Sequence, residues 1–413
     1  MRGRKALAAM VAVVTVAVVV GLVLILTGGG SDRPRAGSHA PPTPGAPATP
    51  PAPPAPPAPP EPLRAALPPP ASQGFGVNVN RLFNDMTYTA AQIDAQLAAV
   101  RATGATLARS DAFWEGAEPQ APADGRHRYD WSFDDRVAAA LAAHGLTWLP
   151  IIDYTAPWAE SVAGQDHSPP RPDAVADYAA YAGAFAARYG GGGAFWRTHP
   201  DLTAVPVTAI EIWNEPDNPE FWAPGPDAAA YAQMYLAARA EIDAADPAIR
   251  VLVGGLTNAS AFLPEMVRAA PQLVGHVDGV AVHPYGTPAV VLNRVRGARA
   301  ALVGVGMGTV PLYVTEFGWT TQPAGAVSYL PAARRPADIE GVLTALGHLR
   351  CGLAATLLYT WVTPERNPTD GQDWYGIANP SDPSAATPDT QAFAAGLRAA
   401  AAPDAAPPPA CPT

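Results

Sequence analysis

Two carboxylates each close an apolar run: Glu215 ends Ile210-Glu211-Ile212-Trp213-Asn214-Glu215, and Glu316 ends Leu312-Tyr313-Val314-Thr315-Glu316. Short apolar runs bounded by turn residues read as buried strands, so both acids stand at strand ends. Two carboxyls brought together can cleave an acetal: one protonates the departing oxygen while the other attacks the carbon or activates water. Other reactive or hydrogen-bonding residues recur at equivalent places. Arg109 lies near the end of one apolar run, Asn214 precedes Glu215, His283-Pro284-Tyr285 closes another run, and Trp361 lies at the end of a further one. Glu211 is read as structural, facing away from the pair.

Eight strands account for these positions: 74–80, 105–111, 146–153, 208–214, 250–256, 279–285, 310–318 and 354–362. A helical pattern follows each strand. The first opens on a capping box of Thr89 and Gln92, with Ile93, Leu97 and Val100 at i, i+4 and i+7. Later helices are read at 134–144, 174–189, 227–244, 260–269, 288–303, 336–349 and 389–401. Strict alternation of eight strands with eight helices predicts an α/β fold, a closed (β/α)8 TIM barrel over residues 73–403. An open doubly wound sheet usually starts on a glycine-rich phosphate turn into a helix, and Gly74-Phe75-Gly76 leads into none. In such a barrel the loops, and the chemistry, gather at the C-terminal ends of the strands. Glu215 and Glu316, on strands 4 and 7, would then face each other across the barrel mouth.

The elements Trp213-Asn214-Glu215-Pro216-Asp217 and Thr315-Glu316-Phe317-Gly318-Trp319 resemble clan A of the glycoside hydrolases, the retaining (β/α)8 enzymes, over about residues 74 to 400. Within the clan they look most similar to family 39 and its bacterial exopolysaccharide-hydrolase relatives, with family 5 next. The resemblance implies Glu215 as acid/base and Glu316 as nucleophile, with Arg109 the cation that keeps Glu316 ionised. It implies Asn214 on the sugar 2-hydroxyl, His283 and Tyr285 orienting the nucleophile and its sugar, and Trp361 as the floor of the cleavage subsite. No metal or organic cofactor is implied.

Seven of the ten tryptophans fall on or just after strand ends: Trp114, Trp158, Trp213, Trp222, Trp319, Trp361 and Trp374. Sugar rings pack their C–H faces on aromatic planes, so Trp158, Trp222, Trp319 and Trp374 are expected as aromatic subsites. Long loops at 154–173, 215–226 and 363–388 are expected to wall the cleft. The expected partner is an oligo- or polysaccharide with β linkages, cleaved by double displacement. A transglycosylase on the same fold and a non-catalytic carbohydrate-binding surface protein are the open alternatives.

The N-terminal region sets the expected location. Arg2, Arg4 and Lys5 precede an apolar or small-residue run over 6–27, long enough to cross a bilayer as a helix. Residues 1–5 are read as a cytoplasmic stub, 6–27 as a transmembrane signal anchor, 28–72 as a Pro-rich disordered linker and 404–413 as a C-terminal tail. The basic flank then places the catalytic domain outside the cytoplasm. A cleaved signal peptide, giving a secreted protein, is the alternative. A net charge of −10 without a Lys/Arg cluster beyond the first residues argues against a nucleic-acid partner. Cys351 and Cys411, in an oxidising compartment, are open to pairing as a disulfide or remaining two inert thiols.

Overall fold

The structure is a computed structural model that describes residues 63–84, 88–324, 328–365, 367–403 and 411. The expected stub, the membrane span at 6–27 and the linker as far as residue 62 lie outside the described residues, as does the tail apart from Cys411. Among the described residues no helix is long and apolar enough to cross a membrane.

Residues Glu61–Thr413 form one compact unit. Its strands are β1 (Gly74–Asn78), β2 (Leu107–Phe113), β3 (Thr147–Asp153), β4 (Ala209–Ile212), β5 (Arg250–Leu256), β6 (Gly279–Val282), β7 (Leu312–Val314) and β8 (Leu353–Leu358). All pair in parallel in sequence order, and β8 closes on β1. The outer helices are α1 (Ala90–Ala102), α2 (Ser132–Ala143), α3 (Val175–Tyr189), α4 (Ala228–Ala245), α5 (Ala259–Ala269), α6 (Pro288–Gly304), α7 (Arg335–His348) and α8 (Pro388–Ala401). Every expected strand and helix is present, shifted by a few residues at its ends. Three short helices, Asn80–Asn84, Trp114–Ala117 and Ala194–Thr198, escape the sequence pattern because four or five residues cannot display a period.

Alternation along the strands fills two layers. Leu149, Ala209, Leu252, Ala281, Tyr313, Ala355 and Leu357 pack together along the barrel axis, while Trp148, Ile152, Ile210, Ile212, Val251 and Val253 turn outward against the helices. The Thr89 cap behaves as its spacing predicts: its hydroxyl accepts from Gln92 N, its own N–H donates to the Gln92 side chain, and Ile93, Leu97 and Val100 are buried.

The linker is expected to run free to residue 72, but from Leu63 it packs on the barrel face opposite the mouth. Arg64 reaches Asp243 and the fully buried Asp278, each at 2.8 Å. Leu67 N donates to Asp278 Oδ1, Val251 N to Asp278 Oδ2, and Arg239 also pairs with that carboxylate. Two arginines and two backbone amides compensate a charge that burial alone would disfavour, and they hold Asp278 below the ordinary aspartate range. Composition reports the prolines of this segment but not the destination of Arg64. Cys351 and Cys411 form a disulfide with Cα atoms 5.1 Å apart, which resolves the open choice and ties the chain after α8 to the turn before β8.

Candidate active site

The barrel mouth holds a polar core in which Arg109 is the hub. It projects inward from β2 and is 1% exposed. Its Nε and Nη2 donate to the two oxygens of Glu211 at 2.9 and 3.1 Å, and Nη1 donates to Glu316 Oε1 at 2.5 Å and to Asn78 Oδ1 at 2.9 Å. Nη2 also reaches Asn214 Oδ1 at 3.2 Å. The expected outward-facing Glu211 is therefore corrected: it lies inside the barrel, fully buried, as the base of the Arg109 network. Ala209 and Glu211 share the inward face of β4, and alternation places them there.

What breaks alternation is the backbone beyond β4. Trp213 and Glu215 have φ of 68° and 46°, a left-handed region unusual for residues with a Cβ. The first turn sends Trp213 outward, where its ring packs on Tyr154, Tyr178 and Trp222 and its indole N–H bonds Phe221 O. Asn214 and Glu215 consequently both face the cleft. Backbone strain held by surrounding packing is a recurrent feature of functional sites.

Glu215 is held by two donors: His283 Nδ1 to Oε1 at 2.8 Å and Asn218 Nδ2 to Oε2 at 2.7 Å. His283 Nε2 lies 3.1 Å from Thr315 Oγ1 and within 3.4 Å of Arg109. Glycine explains its seat: a Cβ at Gly255, on β5, would overlap the His283 ring. Glu316 receives Arg109 on one oxygen and Tyr285 Oη, at 2.6 Å, on the other. Burial opposes ionisation of Glu316, but the charges of His283 and Arg109 and the bonds from Tyr285 and Arg109 outweigh it and hold the carboxyl below its usual range. Burial likewise opposes charging His283, and the Glu316 and Glu215 carboxylates reverse it, raising the imidazole above its ordinary value.

Ligand atoms of Glu215, His283 and Glu316 lie within 4.8 Å of one another. Such a trio has donor types that suit a divalent cation. Here, however, both Glu316 oxygens already receive hydrogen bonds, one from a guanidinium, and a cation's charge would sit beside that of Arg109.

The cleft above this pair has a volume of 420 Å³. It brings together Asn214, Glu215, His283, Tyr285 and Glu316, with Arg109 directly beneath. The loop after β4 supplies Asp217, Asn218 and Phe221, the loop after β3 Tyr154, and the segment after β8 Gln372 and Tyr375.

The tryptophans do not reach it. Trp361 is buried against α1, donating to Gln96 Oε1, so it does not form the expected floor, and Tyr359, two residues earlier, lines the cleft. Trp158 bonds Glu118 O, Trp319 bonds Gly286 O and Trp374 bonds Asn367 O, while Trp222 packs edge-on against Trp213 and Tyr231. Four of these rings pin a loop or neighbouring helix through the indole N–H, and filling space behind the loops is work a large ring does well. The aromatic cleft residues are instead Tyr154, Phe221, Tyr285, Tyr359 and Tyr375. Sequence reasoning missed all but Tyr285 of these, together with Asn78 and Asp111. Asn78 and Asp111 were discoverable as polar residues ending apolar strands.

No protein-family model and no curated protein sequence matches the chain. Solved structures do. A monomeric beta-xylosidase from Caulobacter crescentus CB15 is 21% identical, with 80% of this chain covering 69% of that one at a TM-score of 0.60. A family 39 enzyme from Xanthomonas axonopodis pv. citri is 19% identical, with 80% and 67% covered and a TM-score of 0.60. A family 39 glycoside hydrolase from the gut symbiont Bacteroides cellulosilyticus WH2 is 17% identical over 79% of this chain, at a TM-score of 0.57, and this chain spans 64% of its length. These likenesses, all at 21% identity or below, show a shared fold, and family 39 enzymes are among the structures that share it.

Proposed function

We propose that the chain is a retaining glycosidase acting on β-linked chains of a cell-surface or environmental polysaccharide. The observation that carries this reading is the spacing and environment of Glu215 and Glu316: their nearest oxygens lie within 4.8 Å. Retaining enzymes set the two carboxyl groups about 5–5.5 Å apart and inverting ones about 6.5–9.5 Å to admit a water; an approach of single oxygens this close favours the shorter spacing without measuring the separation of the groups.

Glu316, held ionised by Arg109 and Tyr285, attacks the anomeric carbon while Glu215 delivers a proton to the departing glycosidic oxygen. Glu215 then takes a proton from water as that water displaces Glu316 and releases the sugar. Asn214, oriented by Arg109, is placed to bond the 2-hydroxyl of the sugar being cleaved. His283 lies 2.8 Å from Glu215 and 3.6 Å from Glu316, where it orients both. The reading also carries the sequence proposal of a signal anchor at 6–27 and a Pro-rich spacer that hold the barrel outside the cytoplasm.

The test is hydrolysis of a panel of β-linked polysaccharides and aryl glycosides by the full chain beside Glu316→Ala and Glu215→Ala. The reading expects activity lost in Glu316→Ala and partly restored by azide in Glu215→Ala. Full activity in either variant would overturn it, and glycan binding without turnover by the wild type would favour a carbohydrate-binding protein.

A further inference from the structure

One wall of the cleft is rich in hydrogen-bond acceptors. Asp111 ends the inward face of β2, lines the cleft and is 7% exposed; its Oδ2 accepts from Asn84. Asp153 ends β3 two residues beyond Ile151, which lines the cleft; alternation puts it on the same inward face, behind the lining rather than in it. It is fully buried, and neither carboxyl oxygen has a hydrogen-bond partner. The Oδ1 atoms of Asn80, a cleft residue, and of Asn84 are likewise buried without a donor. Buried acceptors left unpaired cost about 1–3 kcal/mol each, more for a charge; of these four atoms only that of Asn80 belongs to a residue lining the cleft, and together they leave the β1–β3 side of the mouth short of donors.

The demand is for charge as well as for N–H groups. Burial and the neighbouring charge of Asp111 push Asp153 well up, with Glu115 adding to the repulsion. Among the charges acting most strongly on Asp153, Arg109 alone is positive, and its guanidinium is already shared by Glu211, Glu316, Asn78 and Asn214. A sugar hydroxyl would donate a hydrogen bond without relieving this repulsion. A bare metal ion fits less well: among the described residues, the acids that converge as a metal trio are Glu215 and Glu316 with His283, not this wall. An ammonium supplies one positive charge and three donors on a compact group, which suits acceptors spread over a surface.

We propose that this wall, with Asp111 in contact and Asp153 behind it, holds the protonated amine of an N-deacetylated amino sugar in the substrate chain. The inference rests on the glycosidase reading for its substrate but concerns binding, and binding can be measured without cleavage. Asp111 is the contact residue, and Asp153 is a positioning residue behind it, a buried carboxyl that the bound ammonium would favour in its charged form.

The experiment is calorimetric titration of the full chain carrying Glu215→Gln with β-linked glucosamine and galactosamine oligomers and with their N-acetylated counterparts, at a pH where the amine is protonated. The free-amine form of at least one sugar is expected to bind about tenfold tighter or more, the worth of one charge-assisted hydrogen bond. Adding Asp111→Asn should abolish the difference between the two forms, and adding Asp153→Asn should reduce it, with unchanged melting showing that both variants are folded. Equal binding of the two forms, no binding of any amine-bearing oligomer, or a preference that survives Asp111→Asn would each overturn the proposal. The two readings fail separately. Amine preference without cleavage by the wild type would retain this site and remove the glycosidase reading, whereas cleavage of neutral chains without amine preference would do the reverse.

Discussion

Arg109 grips Glu211 through two parallel hydrogen bonds of 2.9 and 3.1 Å, and that bidentate pair fixes the plane from which its remaining Nη1 meets Glu316. The first carboxylate orients the cation and the second uses it. Arg109→Met should therefore do two separable things. It should leave Glu211 buried and uncompensated, at a cost of about 3–5 kcal/mol in a denaturant titration. It should also lower turnover by about a hundredfold or more through loss of charge beside Glu316. Adding Glu211→Met should restore most of the stability and none of the activity.

The two titrating partners of the site give opposite pH signatures. Glu316 is held below its ordinary value, so its contribution to stability is present above the unfolded-state value of about 4.3 and lost as pH falls through the folded value. His283 is raised, so its contribution is present below about 6.5 and lost as pH rises through the folded value. Both contributions are complete between those limits. In kcat/KM the acid limb should lie below the usual glutamate range. Tyr285→Phe removes the 2.6 Å bond to Glu316, and should move that limb upward while slowing turnover roughly ten- to a hundredfold, as a bond to a charged group is worth.

Gly255 should prove intolerant of any side chain. A Cβ there overlaps the imidazole of His283, which cannot retreat because Glu215 and Thr315 hold its two nitrogens. Gly255→Ala is expected to reduce activity on every substrate, to a degree like that of His283→Ala, and a pH–rate profile of the two variants should show the same change. Wild-type kinetics in Gly255→Ala would contradict the placement of His283.

The Cys351–Cys411 bridge closes a loop of 60 residues that includes α8. Constraining the unfolded chain over such a loop is worth about 4 kcal/mol. Replacing both cysteines with serine should lower the melting temperature by that equivalent while leaving kcat at low temperature unchanged, because neither residue approaches the cleft.

Strands and helices were legible because their apolar periods are long and because a parallel barrel buries both faces of each strand. Glu215, Glu316, Asn214, Arg109, His283 and Tyr285 were legible for the same reason: polar residues closing apolar runs have no place in a core. Sequence reading failed where direction matters more than position. Glu211 interrupts the outward pair Ile210 and Ile212 and shares the inward face with Ala209, which reading it as facing away from the pair overlooked, and the positive φ at Trp213 that re-aims Asn214 leaves no trace in a sequence of ordinary residues. Tryptophans at strand ends look alike from the sequence whether they face a sugar or, like Trp319 and Trp361, fasten a loop or helix from behind. Arg64 shows the same limit at the other face: a proline-rich context hides a side chain whose partners lie far along the chain.

The central claim is that Glu316 forms a covalent bond to the sugar. The most direct measurement is mass spectrometry of the protein after incubation with 2-deoxy-2-fluoro glycosides bearing a good leaving group, followed by peptide mapping. The account predicts stoichiometric labelling on the peptide that contains Glu316, absent in Glu316→Gln and lost on adding an acceptor sugar. Labelling on another residue, or substrate turnover with inversion at the anomeric centre, would contradict it.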